Sequence, residues 1–300
     1  MSKIILGDGG MGTELRERGI EVPSHIDSVW SALALEDNPE EIVQIHRDFI
    51  NAGSDYITIN NYAVTQPILS RVNNVHRFKD LTETSIRLAK KSIPTSNNHK
   101  ALVAASFPPL ETSYRPDLVL SKKDLIYKYS ELAELVKNEV DFIICETMTT
   151  KEEGRIALQI AKQTDLPVWL AWTLHGNRIN KIPGGESLKE ATDYCIDLDP
   201  EAVLINCCGA NLVTEGIKEL SKYKGLTIGG YANSEVVNNF SSSGGLIKNA
   251  EEIQSRNSKS INEDMYSNEV LKWIEEGASI VGGCCRTRPS HIRLIKQKIN

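Results

Sequence analysis

Eight short apolar runs recur along the chain, separated by stretches whose apolar residues return every three or four positions. The runs are KIILGD (3–8), DYITIN (55–60), ALVAAS (101–106), DFIICE (141–146), PVWLAWT (167–173), AVLINC (202–207), LTIGGY (226–231) and SIVGGC (279–284). They are continuous rather than alternating, which suits strands buried on both faces of a parallel sheet. Between them the spacing predicts helices. Asn38-Pro39 supplies an N-cap and a first-turn proline, with Glu41 at the capping-box position. Ile42, Ile45, Phe49 and Ala52 then recur until Gly53 provides a stop. Ser121 and Asp124 open a second helix striped by Leu125, Tyr129, Leu132 and Val136. Val213, Ile217 and Leu220 mark a third, and Val270, Leu271 and Ile274 a fourth. Eight strand–helix units predict a single α/β domain over residues 1–300, a (β/α)8 barrel of the TIM type. A doubly wound open sheet is the other architecture this pattern allows.

Loop lengths orient the barrel. Helix-to-strand turns are short, as at Gly53-Ser54, Asn138-Glu139, Lys224-Gly225 and Gly277-Ala278. Strand-to-helix loops are long: Asn61 to about Asp80, Phe107 to Leu120, Leu174 to Glu186, and Ala232 to about Ser267. In such barrels the long βα loops build the active site at the C-terminal ends of the strands. The last loop, with NNFSSSGG and SRNSKSINED, is expected to be either a substrate lid or a partly disordered excursion.

Composition narrows the function. Hydrophobic residues make up 40% and charged residues 25%, an ordinary globular balance. A formal charge of −6 lacks the clustered basic surface of a nucleic-acid binder. No apolar run reaches the ~18 residues of a membrane span. The opening MSKIILGDGG has too short an apolar stretch for a signal peptide, so a cytoplasmic protein with small-molecule partners is expected.

The chemistry lies at the ends of the apolar runs. The first ends in Asp8, the second in Asn60, the fourth in Glu146 and the sixth in Cys207; the eighth ends in Cys284 and Cys285. Carboxylates and thiols scattered in sequence would meet at one rim. Three thiols there suggest a catalytic zinc site with a fourth position open to substrate. The alternative is a pair of buried thiols behaving as small hydrophobes. Adjacent strand residues point to opposite faces, so Cys284 and Cys285 can share one ion only if the backbone bends; Gly282-Gly283 offers that freedom. Alternation does not choose between Cys207 and Cys208, whereas Cys145 and Cys195 fall at core positions. His46 and His76 are expected at the surface. In GDGGMGTELRERG, the amides of Gly9 and Gly10 could hold a carboxylate while Asp8 and Glu146 hold an ammonium, together recognising an amino acid. A tight first βα turn would use the same glycines.

GDGGMGTELRERG, WSALAL, NPEEIVQIHRDFINAGSDYITIN, ICET, INCC and GGCCRTRP together resemble the homocysteine S-methyltransferase family, over Gly7 to about Ile292. That family includes S-methylmethionine- and betaine-dependent enzymes and the homocysteine module of methionine synthase. The resemblance implies a zinc-dependent (β/α)8 barrel with Cys207, Cys284 and Cys285 as ligands, and homocysteine held by Asp8 and Glu146. Gly9, Asn60 and Asn233 complete the expected substrate-binding set. Two loops depart from the commoner pattern: GYANS has Ala232 where many relatives carry proline, and ITINNY replaces Thr-Asn-Thr-Tyr. Both flank the pocket on the donor side. The expected reaction is methyl transfer from a sulfonium donor, S-methylmethionine ahead of S-adenosylmethionine, to homocysteine, giving methionine. Betaine as donor is the alternative within this chemistry, and a non-catalytic zinc- or thiol-binding barrel is the alternative outside it. Trp30 and Tyr62 are the aromatic residues expected to face the donor cation.

Overall fold

The computed structural model describes residues 3–25, 28–174, 179–238 and 258–300. Eight strands form one all-parallel sheet: β1 (Ile5–Leu6), β2 (Tyr56–Thr58), β3 (Leu102–Phe107), β4 (Phe142–Met148), β5 (Val168–Trp172), β6 (Ala202–Gly209), β7 (Ile228–Asn233) and β10 (Ile280–Gly283). Two further strands, β8 (Glu235–Val237) and β9 (Ser258–Ser260), pair antiparallel as a hairpin stem within the last long loop. The sheet order is β1-β10-β7-β6-β5-β4-β3-β2, so β1 and β2 lie at its two ends. The seam between them is joined largely by carboxylates. The Asp55 amide donates to the Leu6 carbonyl at 2.6 Å, and the Leu6 amide donates to Asp55 Oδ2 at 2.8 Å. The Thr58 amide donates to Asp8 Oδ2 at 2.8 Å. The result is a barrel wrapped by helices, the architecture expected from the eight-fold pattern.

Burial follows from two faces of each strand. Inward residues, among them Tyr56, Phe142, Ile144, Trp169, Leu204 and Tyr231, fill the barrel with one cluster. Outward residues such as Ile143, Cys145, Leu170, Val203, Ile205 and Val281 pack beneath the helices. This alternation positions the site. On β4, Phe142 and Ile144 point inward, so Glu146 becomes the next interior layer; on β6, Ala202 and Leu204 do the same for Asn206.

The helix expectations hold with three corrections. The helix Pro39–Ala52 ends at Gly53 with φ +117°, but Asn38 makes no side-chain cap hydrogen bond. Glu41 pairs with Arg18 instead of closing a capping box. Ser121 does cap Lys122–Val136 by accepting from the Asp124 amide. In Glu263–Glu275 the buried face is Tyr266, Val270 and Trp273, with Leu271 and Ile274 only half-buried. Two aromatic rings give that helix its core contact. The third correction is His46, which is fully buried with neither ring nitrogen hydrogen-bonded. It lies on the same inner face as Ile42, Ile45 and Phe49. Most of the NNFSSSGG segment lies outside the described residues.

Candidate active site

A cavity of about 520 Å³ opens at the C-terminal ends of the strands, and Asp8, Asn60, Glu146, Cys207, Asn233, Cys284 and Cys285 all line it. The sulfur atoms of Cys207, Cys284 and Cys285 lie within 4.8 Å of one another, with Cys207 Sγ and Cys285 Sγ 4.0 Å apart. Zinc–thiolate bonds of about 2.3 Å at tetrahedral angles would place sulfurs roughly 3.8 Å apart. The three thiols therefore fit one such ion. Hydrogen bonding with Cys207 and Cys285, followed by burial, pushes the Cys284 thiol well above its usual range. Binding a metal ion to these thiols would release protons.

The backbone solves the facing problem differently from the expectation. Strict alternation after Ala202, Leu204 and Asn206 would aim Cys208 inward and Cys207 outward. Instead Cys207 adopts φ +52°, and the β6–β7 register shifts between Asn206 and Gly209. This bulge turns Cys207 to the cavity and leaves Cys208 in the outer core. On β10, Gly282 and Gly283 are ordinary paired strand residues opposite Tyr231 and Ala232. The bend comes after them, at Arg286 with φ +63°, where the Thr287 amide donates to the Cys284 carbonyl at 3.1 Å. The glycines serve close approach: a Cβ on Gly283 would lie 2.1 Å from Thr287 Oγ1.

The acidic pair lines the same cavity as the thiols. Burial raises Asp8 to about 8, opposed by the hydrogen bond from the Thr58 amide and assisted by the nearby Glu146 charge. The side chain is only partly exposed and lines the cavity. Burial likewise raises Glu146 to about 7, partly offset by side-chain hydrogen bonds. Tyr231 Oη donates to Glu146 Oε2 at 3.1 Å and Asn206 Nδ2 to the same oxygen at 3.4 Å. Burial disfavours the charged forms of both carboxyls, and a cation between them would favour those forms.

The other expected residues are present but largely engaged. Asn60 Oδ1 accepts from Ser31 Oγ at 2.7 Å, and its Nδ2 donates to the Ser31 carbonyl at 3.0 Å. Asn233 Oδ1 accepts the Cys285 amide at 3.2 Å, so this side chain fixes a thiol-bearing residue. The Gly10 amide donates to the Thr287 carbonyl at 3.2 Å, which leaves Gly9 as the candidate carboxylate contact of the pair. Trp30 lines the cavity, but the Arg16 guanidinium stacks on its ring at 4.4 Å. That leaves Tyr62, whose hydroxyl lies 2.7 Å from Ser113 Oγ, as the aromatic wall available from the expected pair.

Sequence reasoning missed Asn206, Tyr114 and Glu235. Asn206 Oδ1 accepts the Thr147 amide at 2.9 Å and so holds the corner behind Glu146. Its signal was parity with Ala202 and Leu204. Buried Glu235 pairs with Arg286 beside the thiol turn. Tyr114 reaches the cavity from the loop after β3, where no periodicity could reveal it.

A family model described as homocysteine S-methyltransferase matches residues 5–299. The chain is 27% identical to homocysteine S-methyltransferase 1 of Arabidopsis thaliana over 317 residues, covering 97% of this chain and 92% of that protein. It is 27% identical to homocysteine S-methyltransferase YbgG of Bacillus subtilis over 310 residues, covering 97% and 93%. Among solved structures, the metallated form of homocysteine methyltransferase MmuM from Escherichia coli has a TM-score of 0.79 at 24% identity, covering 99% of this chain and 96% of that one. That likeness establishes the barrel, and the family model spans nearly its whole length. The chain belongs to the homocysteine S-methyltransferase family.

Proposed function

We propose that this protein transfers a methyl group from a sulfonium donor to homocysteine at a zinc site formed by Cys207, Cys284 and Cys285. The carrying observation is the convergence of three thiols, within 4.8 Å of one another, with Asp8 and Glu146 in one cavity. Zinc bound there would supply Lewis acidity that lowers the pKa of a fourth, substrate sulfur and keeps it ionised at neutral pH.

The chain's own residues account for the rest. Asp8 and Glu146 receive the ammonium of homocysteine, and the Gly9 amide its carboxylate. Tyr231 and Asn206 orient Glu146, and Asn233 holds the Cys285 turn. Held in this way, the homocysteine sulfur lone pair forms a bond to the donor methyl carbon. The carbon–sulfonium bond breaks, and its electron pair leaves on a neutral thioether. With S-methylmethionine both products are methionine. No general base is required once the thiol proton is gone; alignment supplies the acceleration.

A sulfonium is favoured because a neutral thioether leaves far more readily than the amine that betaine releases. S-Methylmethionine also carries the amino-acid group that this cavity is lined to receive. The acidic pair argues against a metal store, which would give Asp8 and Glu146 no task. The test supplies homocysteine with S-methylmethionine, S-adenosylmethionine or betaine and measures methionine. The expected rates fall in that order, with betaine hardly used. A betaine rate equal to that with S-methylmethionine would overturn the donor assignment. Absence of methionine with all three would overturn the reading itself.

A further inference from the structure

The geometry points to Tyr114 as a positioning residue for the metal centre, donating its phenolic hydrogen to the Cys207 sulfur and so setting that ligand's charge. This inference rests on the zinc reading above. Tyr114 is 4% exposed and packs directly on Cys207, with Cys284 and Cys285 against the same pair. Its hydroxyl lies 2.8 Å from Cys207 Sγ and 3.3 Å from the Cys207 carbonyl oxygen. The Thr173 hydroxyl also donates to that carbonyl, at 3.4 Å. The sulfur is thus the nearer partner of the phenol, and the carbonyl has a second one.

Backbone conformation supports a dedicated placement. Tyr114 has φ +67° and Cys207 has φ +52°. Side chains other than glycine persist in the left-handed region when surrounding structure over-determines them, and such positions gather at functional sites. Here two of them meet through one hydroxyl–sulfur contact. Neither lies in a segment whose pattern demands the turn: Tyr114 is in the loop after β3, and Cys207 interrupts an otherwise regular strand.

The chemistry fixes the direction of the bond. A thiolate ligand has no proton, so a phenol beside it can only donate. Three thiolates around a dication leave a net negative charge, and an incoming fourth thiolate adds another. A hydrogen bond to a buried charged acceptor is among the stronger kinds and disperses this charge. Removing partners of this type from around metal ligands typically weakens metal affinity or activity by about 10–100-fold.

The test compares Tyr114→Phe with Tyr114→Leu in the full-length protein. Zinc affinity is measured by competition with a chromophoric chelator, and the cobalt(II)-substituted forms are examined by absorption spectroscopy. Donation to sulfur predicts that Tyr114→Phe, which keeps the ring, already loses about 10–100-fold in zinc affinity. It also predicts a thiolate-to-cobalt charge-transfer band at longer wavelength, because the sulfur electrons are less stabilised. A role limited to packing predicts a Phe variant like the wild type and a damaged Leu variant; that result overturns the proposal. A lowered affinity with an unmoved band overturns it too, since the hydroxyl would then serve the carbonyl. A wild-type protein that binds no zinc overturns the zinc reading and this inference with it.

Discussion

Replacing Asp8 with asparagine should make the protein more stable and its substrate binding worse. Asp8 has two tasks that conflict. Its Oδ2 accepts the Thr58 amide across the β1–β2 seam, while burial raises its pKa from 3.8 to about 8. Asparagine keeps an oxygen for Thr58 and removes the charge. The sign follows from linkage: a carboxyl whose folded pKa lies above its unfolded value stabilises fully below the unfolded value. That contribution is lost as pH rises through the folded value. At pH 7.5 a shift of this size corresponds to about 5 kcal/mol as an upper bound, from about 1.4 kcal/mol per unit. Water in the cavity that Asp8 faces screens it, so about half, roughly 2–3 kcal/mol, is the expected gain. At about 2.1 cal/mol/K per residue, the unfolding entropy of this chain makes that roughly 3–5 °C in Tm.

Scanning calorimetry of both proteins from pH 4 to 8.5, without metal or substrate, tests this. The difference should be small near pH 4, widen up to about pH 8 and then level off. Homocysteine binding should move the other way. Loss of one charge-assisted hydrogen bond, about 1.5–3 kcal/mol, predicts a roughly 10–150-fold weaker Kd by titration calorimetry on the metal-loaded protein. An Asp8→Asn variant less stable than the wild type at pH 7.5, or one with unchanged homocysteine affinity, would refute the reasoning.

Three other outcomes follow from the same geometry. Elemental analysis should find about one zinc per chain, lost in Cys284→Ala and Cys285→Ala and kept in Cys208→Ala, whose sulfur lies in the outer core. Asn206→Leu should destabilise by about 2–4 kcal/mol in urea unfolding, because it strands the buried Thr147 amide and removes a donor from Glu146. His46→Leu should flatten the acid limb of the stability curve. Burial lowers His46 to about 3, so its stabilising effect is complete above about 6.5 and declines as pH falls toward 3.

What was legible in the sequence were features with a period. Eight buried runs and their short αβ turns specified the barrel, and run ends specified which residues share its rim. Positions where the backbone breaks its own period were not legible. Cys207 is the sharpest instance: alternation in the sequence chooses neither it nor Cys208, and the left-handed φ at Cys207, with the register shift beside it, is what turns Cys207 to the cavity. Gly282-Gly283 misled in the opposite sense. Two glycines before a turn suggest a hinge, yet they pair regularly and make room for Thr287, while Arg286 bends the chain. His46 misled because a single polar residue on an apolar helix face has no signature of its own. Tyr114 was invisible because loop residues meet strand residues only through tertiary structure.

These breaks in pattern share a location. Of the nine non-glycine residues with positive φ among those described, Trp30, Tyr114, Cys207 and Arg286 line the cavity, and Thr147 directly follows Glu146. Each of the three corners nearest the chemistry is held by a named partner from another element. Asn206 holds Thr147, Tyr114 holds Cys207, and the Thr13 hydroxyl accepts the Arg286 amide at 2.9 Å. A regular strand end would present one side chain per strand to the rim, at alternate positions. Three sulfurs within reach of one ion, in a cavity shared with two carboxylates, need more than that alternation supplies. The irregular corners provide the extra directions, and their supports lie in other elements (the loop after β3 for Tyr114, strand β6 for Asn206, the first helix for Thr13) rather than in the segments that bend. Loss of a support should therefore disturb metal and substrate binding well before it unfolds the barrel, whose cores beneath the helices and inside the strands do not depend on these corners.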